Sequence, residues 1–369
     1  MDVDVPVEVV TASAYRIPTD SPEADGTTAW TETTLVLVRA RAAGRTGTGW
    51  TYGAAAAGVL VGDQLAGVVT GRDAMDVPAC YDAMARATRN AGRPGIAACA
   101  ISAVDVALWD LKARLLDIRL ARLLGRARDT VPIYGSGGFT SYRDEQLTAQ
   151  FTHWVREQGI PRVKMKIAED RGAAENRDLA RIAQARRIVG PDTELYVDAN
   201  GGYGRKQAIR VARAAADQDV RWFEEPVSSD DLAGLREVRD SVTADVAAGE
   251  YGYDLPYFAR MVRADAVDCL QADLSRCGGI TEWQRVAAVA AAANLQISGH
   301  CAPHLHLDAA AATPNLRHLE WFHDHVRIEE MLFHPVAAPE PGGVLRPDPG
   351  RLGHGLEFRD DAASRYRIA

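Results

Sequence analysis

Short apolar runs recur along the last two-thirds of the chain, at residues 131–134, 162–167, 194–198, 220–223, 245–249, 267–272, 295–298 and about 317–322. Between them, apolar residues return at helical spacing over Ala174–Val189, Gln207–Ala216, Asp230–Val238 and Thr281–Ala293. Strand-length runs exchanging with helical patterns mark βα units built on a parallel sheet. Eight such units in roughly 195 residues predict an α/β fold, a (β/α)₈ barrel of TIM type over residues 129–325.

The pattern differs on either side. Residues 1–128 read as an α+β unit, with a strand at Thr34–Ala40 and a Gly-rich hairpin or loop from Gly44 to Gly53. Ala97–Leu124 carries Ile101, Val104, Ala107, Leu108, Leu111 and Leu115 on one helical face and ends at Gly125, so it predicts a helix or helix pair. Residues 326–369 return to Gly, Pro and short apolar pieces, too few to fold alone, and are expected to pack back on the N-terminal unit.

Composition narrows the class. The 369 residues are 47% hydrophobic and 25% charged, enough to bury a core, and the net charge of −8 lacks the basic face a nucleic-acid binder needs. The longest apolar run, Val286–Ala293, is far short of the roughly 18 residues of a membrane span. Met1-Asp2-Val3-Asp4 does not read as a signal peptide. Five cysteines without a C-x-x-C pair fit reduced thiols, so a cytoplasmic location is expected, with neither nucleic acid nor membrane as partner.

The lysines are more telling. Only four of 42 basic residues are lysine, yet two of them, Lys164 and Lys166, share one tripeptide. Arginine supplies charge but cannot release a proton at usable pH, so paired lysines point to a deprotonatable amine.

A barrel keeps its chemistry at the C-terminal ends of its strands. There the sequence places Lys164 and Lys166, then Asp198 and Asn200, Glu224-Glu225-Pro226, Gly249-Glu250, Asp273, His300 and Glu320, at one ionisable cluster per unit. Asp198, Glu224 and Glu250 would project into one space, where three carboxylates stay ionised together only around a cation. An all-oxygen donor set selects Mg²⁺, or Mn²⁺, over Zn²⁺. Lys164 supplies the positive charge an anionic substrate would need there. Lys166, beside a second lysine and a metal, is expected to have its pKa pushed down towards neutrality. On the other side, Asp273 is expected to fix the tautomer of His300 and raise its basicity. A base on each face of a metal-held carboxylate suits removal of the proton alpha to it, with Glu320, if protonated, hydrogen-bonding to the enediolate.

These residues resemble the enolase superfamily, specifically its mandelate racemase subgroup. The likeness spans nearly the whole chain: Ala103–Leu111 and Leu123-Leu124-Gly125 are similar to its capping domain. Val163–Ile167, Val197–Asn200, Trp222–Pro226 and Gln271–Leu274 are similar to its strand ends, and Pro349–Gly353 to its C-terminal return segment. The resemblance implies metal ligands Asp198, Glu224 and Glu250, with Lys164 on the substrate carboxylate. It implies Lys166 and the His300–Asp273 pair as acid/bases and Glu320 as electrophile. A second lysine motif near residue 273, expected of a muconate-lactonising relative, is absent. The implied function is Mg²⁺-dependent dehydration of an acid sugar to a 2-keto-3-deoxy acid. Racemisation, epimerisation or cycloisomerisation through the same intermediate is the alternative, and a non-catalytic carboxylate-binding barrel a distant one. A homo-oligomer, dimer to octamer, is also implied.

Other motifs carry less. His304-x-His306 and His323-x-His325 resemble zinc pairs but follow the wrong strands; His304 and His323 are instead placed near the mouth of the site. Gly135-Ser136-Gly137-Gly138 is a weak phosphate cradle, Glu225 a group behind the ligands, and Cys301 a packing residue behind its strand. Substrate choice is expected to come from loops around Tyr15–Trp30 and Trp50–Ala57.

Overall fold

The computed structural model describes residues 4–369. The N-terminal unit is a three-stranded antiparallel sheet, β1 (Val9–Ala24), β2 (Ala29–Ala42) and β3 (Arg45–Tyr52), in the order β1-β2-β3. The Gly-rich stretch expected as a hairpin or loop is a hairpin: a tight turn at Ala43-Gly44 leads into β3, which pairs back on β2. Its glycines serve helix packing. A Cβ on Gly47 would stand 2.2 Å from the Ala107 carbonyl oxygen, and one on Gly49 2.3 Å from that of Ala103. Both carbonyls lie on helix α1 (Ile96–Leu115), which the glycines let approach β3 backbone to backbone. A short helix, Leu120–Leu123, completes the expected helix pair.

Eight parallel strands follow: β4 (Val131–Gly137), β5 (Arg162–Lys166), β6 (Glu194–Asp198), β7 (Val220–Glu224), β8 (Asp245–Ala248), β9 (Cys269–Ala272), β10 (Gln296–Gly299) and β11 (Leu316–Phe322). They pair in sequence order, and β11 pairs back on β4 with Glu320 opposite Tyr134, which closes the barrel. Helices Asp144–Thr152, Glu175–Val189, Arg205–Ala214, Leu232–Arg239, Leu255–Arg263, Gly279–Ala292, Pro303–Ala311 and His323–Leu332 separate the strands and follow the last. Local signals start some of them; Asp254 accepts from the Tyr257 amide at 2.9 Å and Pro256 stands in the first turn.

Inward positions alternate along each strand, so the barrel fills in layers. One layer holds Tyr134, Tyr196, Trp222 and His318. Each lies two residues before a site residue: Ser136, Asp198, Glu224 and Glu320. This aromatic layer is the floor on which the polar layer stands.

The capping unit docks on the barrel through buried polar contacts. Asp308 accepts a two-pronged pair from Arg119 at 2.7 and 2.6 Å, plus the Ala121 amide at 2.9 Å. Asp105 of α1 accepts the Thr281 hydroxyl at 2.5 Å and its amide at 3.0 Å. The last segment touches both units. Val344–Leu345 pairs with Val131–Pro132 at the start of β4, while the Phe358 ring lies 5.2 Å from Tyr15 and Ala369 accepts from the Ala14 amide.

Candidate active site

All eight predicted site residues meet at the C-terminal mouth of the barrel, and each is buried. Carboxylate oxygens of Asp198, Glu224 and Glu250 lie within 4.8 Å of one another. Asp198 and Glu224 stand opposite one another at the ends of β6 and β7, while Glu250 follows two residues after the end of the neighbouring β8. Four non-glycine residues just past strand ends, Asn200, Glu225, Cys301 and Ala302, have left-handed backbones with φ of 45°, 38°, 52° and 39°. Such conformations persist only where the surroundings enforce them, and they cluster at working sites. Arg181, buried on helix Glu175–Val189, donates to the carbonyls of Gly138, Phe139 and Lys166 and so fixes the rims of β4 and β5.

The two lysines lie among the carboxylates. Lys164 Nζ is 2.5 Å from Glu224, 2.8 Å from Glu320 and 3.5 Å from Asp198, and it stands 5.2 Å above the Tyr134 ring. Lys166 Nζ is 2.5 Å from Asp198. Burial works to lower both lysines, but the carboxylates outweigh it and both are raised. The drop of Lys166 towards neutrality is expected beside a metal; paired with Asp198 alone, Lys166 holds its proton. Lys164 is fully buried, beneath the open cavity rather than on its wall.

The donor role expected of Glu320 is conditional on its protonation. Burial would raise it, yet Lys164, His300 and Lys166 hold it well below the usual carboxylate range. It is an acceptor throughout, from the Ser136 hydroxyl at 2.6 Å, the Cys301 amide at 2.9 Å and Lys164. It donates only after it gains a proton.

His300 Nδ1 lies 2.8 Å from Asp273 Oδ2, as the sequence predicts, which leaves Nε2 facing the cavity. Burial pulls His300 down, but Glu250, Glu320 and Asp273 raise it overall. Cys301 is buried and packs against Phe139, Tyr142 and Phe322, and it also faces the dyad. Its Sγ is 3.3 Å from His300 Nε2, on the cavity wall. Neither His-x-His motif forms a two-histidine site: His304 binds Glu329 and the Ala337 carbonyl, His306 binds the Leu274 amide and Ala302 carbonyl, and His323 meets Asp20. His304 is therefore buried structure rather than part of the mouth.

Several working residues escaped the sequence reading. Arg276 lies 3.4 Å from Asp273 and 3.5 Å from Glu250, tying the dyad to the metal-type cluster. Its position three residues after Asp273 was the available signal. Ser136 looked like part of a phosphate loop, and nothing local marked its bond to Glu320.

A cavity of about 440 Å³ opens above these groups. Lys166, Asn200, Glu250, Arg276, His300 and Cys301 line its floor, while Asp25, Thr28, Trp30, Tyr52, Gly53 and Ala54 of the capping unit form its roof.

The donor chemistry fits a divalent cation. Asp198, Glu224, Glu225, Glu250 and Glu320 are all buried; the ammoniums of Lys164 and Lys166 lie among them, and Arg276 and His300 approach Glu250 from one side. Burial, opposed by Lys164 and reinforced by Asp198 and Glu320, pushes Glu224 up to about 8. Glu225 Oε1 and Glu250 Oε2 have no hydrogen-bond partner. Hard oxygen ligands short of positive charge suit Mg²⁺ or Mn²⁺.

Two family models match the chain: "Mandelate racemase / muconate lactonizing enzyme, N-terminal domain" over residues 8–125, and "Enolase C-terminal domain-like" over 146–362. The chain belongs to the mandelate racemase/muconate lactonizing enzyme family of the enolase superfamily. It is similar to 3,6-anhydro-alpha-L-galactonate cycloisomerase from Streptomyces coelicolor, at 35% identity over 98% of this chain and 99% of that one. Among solved structures, a mandelate racemase/muconate lactonizing enzyme-like protein from Rubrobacter xylanophilus is 48% identical. It superposes with a TM-score of 0.95 over 98% of this chain and 100% of that one. L-talarate/galactarate dehydratase from Salmonella typhimurium, liganded with Mg and L-lyxarohydroxamate, is 27% identical with a TM-score of 0.90, over 100% of this chain and 94% of that one. Among the described residues, no helix is long and apolar enough to cross a membrane.

Proposed function

We propose that this enzyme removes the proton alpha to the carboxylate of an acid sugar and then expels the β-hydroxyl, giving a 2-keto-3-deoxy acid. The observation that carries the reading is the opposition of Lys166 and the Asp273–His300 dyad around one cavity, beside three clustered carboxylates. Asp198, Glu224 and Glu250 would hold Mg²⁺, the ion with which the similar L-talarate/galactarate dehydratase is liganded. When bound, the ion supplies Lewis-acid stabilisation of developing enediolate charge.

The chain's own groups do the proton work. Lys166 becomes a base once the Asp198 oxygen it now holds is engaged elsewhere. His300, kept basic by its carboxylate neighbours, carries a proton on Nε2 that can go to a leaving hydroxyl or to the opposite face of the carbon. Lys164, released from Glu224 and Glu320, pairs with the substrate carboxylate, and Glu320 serves the enediolate oxygen when protonated. The capping roof excludes water and meets the distal hydroxyls. The working division is a cap of residues 1–128, a barrel of 129–325 and a return segment of 326–369, assembled as a homo-oligomer.

A second reading, cycloisomerisation of a sugar acid through the same enediolate, is favoured by the near full-length likeness to the Streptomyces cycloisomerase. The two separate by proton NMR of aldonates, aldarates and anhydro-sugar acids incubated with enzyme and Mg²⁺. A 2-keto-3-deoxy product supports dehydration. A rearranged isomer of unchanged mass supports cycloisomerisation, and no turnover across those classes contradicts both.

A further inference from the structure

A second group of metal-type side chains lies outside the barrel centre and shares no residue with it. Asp20 and Glu23 belong to β1, at the irregularity between Pro18 and Glu23 where its pairing with β2 shifts register. His323 is the first residue of the helix after β11. One ligand atom from each of the three lies within 4.8 Å of the others. His323 Nε2 and Asp20 Oδ2 are 2.9 Å apart.

The independent sign of a missing ligand is Glu23. Its side chain is fully buried; Oε2 accepts from Trp30 Nε1 at 2.8 Å, while Oε1 has no partner. A buried carboxylate oxygen left without a donor is costly unless something positive completes it. The nearby guanidinium does not. Arg327 donates to the Pro18 carbonyl at 2.7 Å and to Asp324 at 2.6 Å, and Asp324 also accepts the Thr33 hydroxyl. Burial and the Asp324 charge push Glu23 up to about 9, as expected of a carboxylate without a counter-ion.

We infer that Asp20, Glu23 and His323 form a second metal site, suited to Zn²⁺, that ties β1 of the cap to the barrel rim. Two carboxylates neutralise a divalent ion, and the imidazole favours zinc over magnesium. Tetrahedral zinc would place the ligand atoms about 3.3 Å apart, a slight opening of the Asp20–His323 pair and an adjustment of Glu23 within the present 4.8 Å spread. Asp20 and His323 remain partly exposed, which leaves a path for the ion and for a water as fourth ligand. The ion would also fix Trp30, held by Glu23 and part of the active-site roof, so its loss loosens the wall that meets substrate.

The inference does not depend on the reaction in the barrel, and its test is a metal count. The full chain is dialysed against Zn²⁺ alone and bound zinc is measured by atomic emission, for wild type, His323→Ala and Asp20→Asn. Wild type is expected to hold one equivalent more than either variant, and Zn²⁺ to raise its Tm by more. The two partly exposed positions provide independent variants should one fold poorly. Equal zinc in wild type and a folded variant, or no zinc beyond the barrel equivalent in wild type, overturns the site.

Discussion

Gly249 joins β8 to Glu250 at a φ of +139°, a conformation that L side chains rarely adopt. An added Cβ would stand 1.8 Å from the Gln271 carbonyl oxygen on β9, so about 1.6 Å of movement is needed to reach ordinary contact at 3.4 Å. The strained backbone costs about 1–3 kcal/mol, and overpacking about 1–3 kcal/mol more. Gly249→Ala should therefore lose about 2–6 kcal/mol in urea unfolding with chelator present. The movement must go into Glu250 or into the strand that leads to Asp273. Either displaces the site by an amount that typically lowers turnover about 10²-fold. Calorimetry should show Mg²⁺ bound at least about tenfold more weakly, about 1.4 kcal/mol. Gly44→Ala is the control, since Gly44 also has positive φ but nothing lies within 4 Å of its Cβ; it should leave Mg²⁺ binding unchanged. A Gly249→Ala protein within about 0.5 kcal/mol of wild type, with the same Mg²⁺ isotherm, would refute the close packing of Gly249 against β9.

Lys164→Ala should raise KM and lower kcat together, because the ammonium serves both ground state and enediolate; an effect on neither returns Lys164 to a structural role. Asp308→Ala should cost about 3–5 kcal/mol by stranding the buried Arg119, with Asp308→Asn retaining part of the bonding; equal unfolding of Ala variant and wild type would remove the clamp. Burial pushes Asp105 up to about 7 despite its bonds from Thr281. A raised pKa stabilises the fold below about pH 4 and that stabilisation fades as pH rises through 7, by on the order of 4 kcal/mol. Asp105→Asn should flatten the fall in stability between about pH 4 and 7, and an unchanged slope would place the titration elsewhere.

The barrel was legible because buried parallel strands read as apolar runs and its surface helices as periodic ones. The site was legible for a related reason: each βα unit delivers one strand end, so ionisable residues at unit spacing fall on one rim. What failed was whatever depends on a partner far along the chain. The 16-residue β1 was missed because Pro18 and Pro22 interrupt it, and an edge strand tolerates them. Gly47 and Gly49 looked like turn residues until α1 was placed against them. That Cys301, besides packing, faces His300 was not legible, because nothing in the sequence reveals that its backbone turns left-handed. The charge states of Lys166 and Glu320 depend on which carboxylate or ammonium each one meets, and only the fold decides that.

Deuterium exchange at the carbon alpha to the substrate carboxylate tests the two-base site most directly. With Mg²⁺ and a turned-over acid sugar in D₂O, wild type should exchange that proton. Lys166→Ala and His300→Asn should each stop exchange or product formation on one face while still binding Mg²⁺. Exchange that survives at the wild-type rate in both variants would contradict the assignment of Lys166 and the His300–Asp273 dyad as the opposed bases.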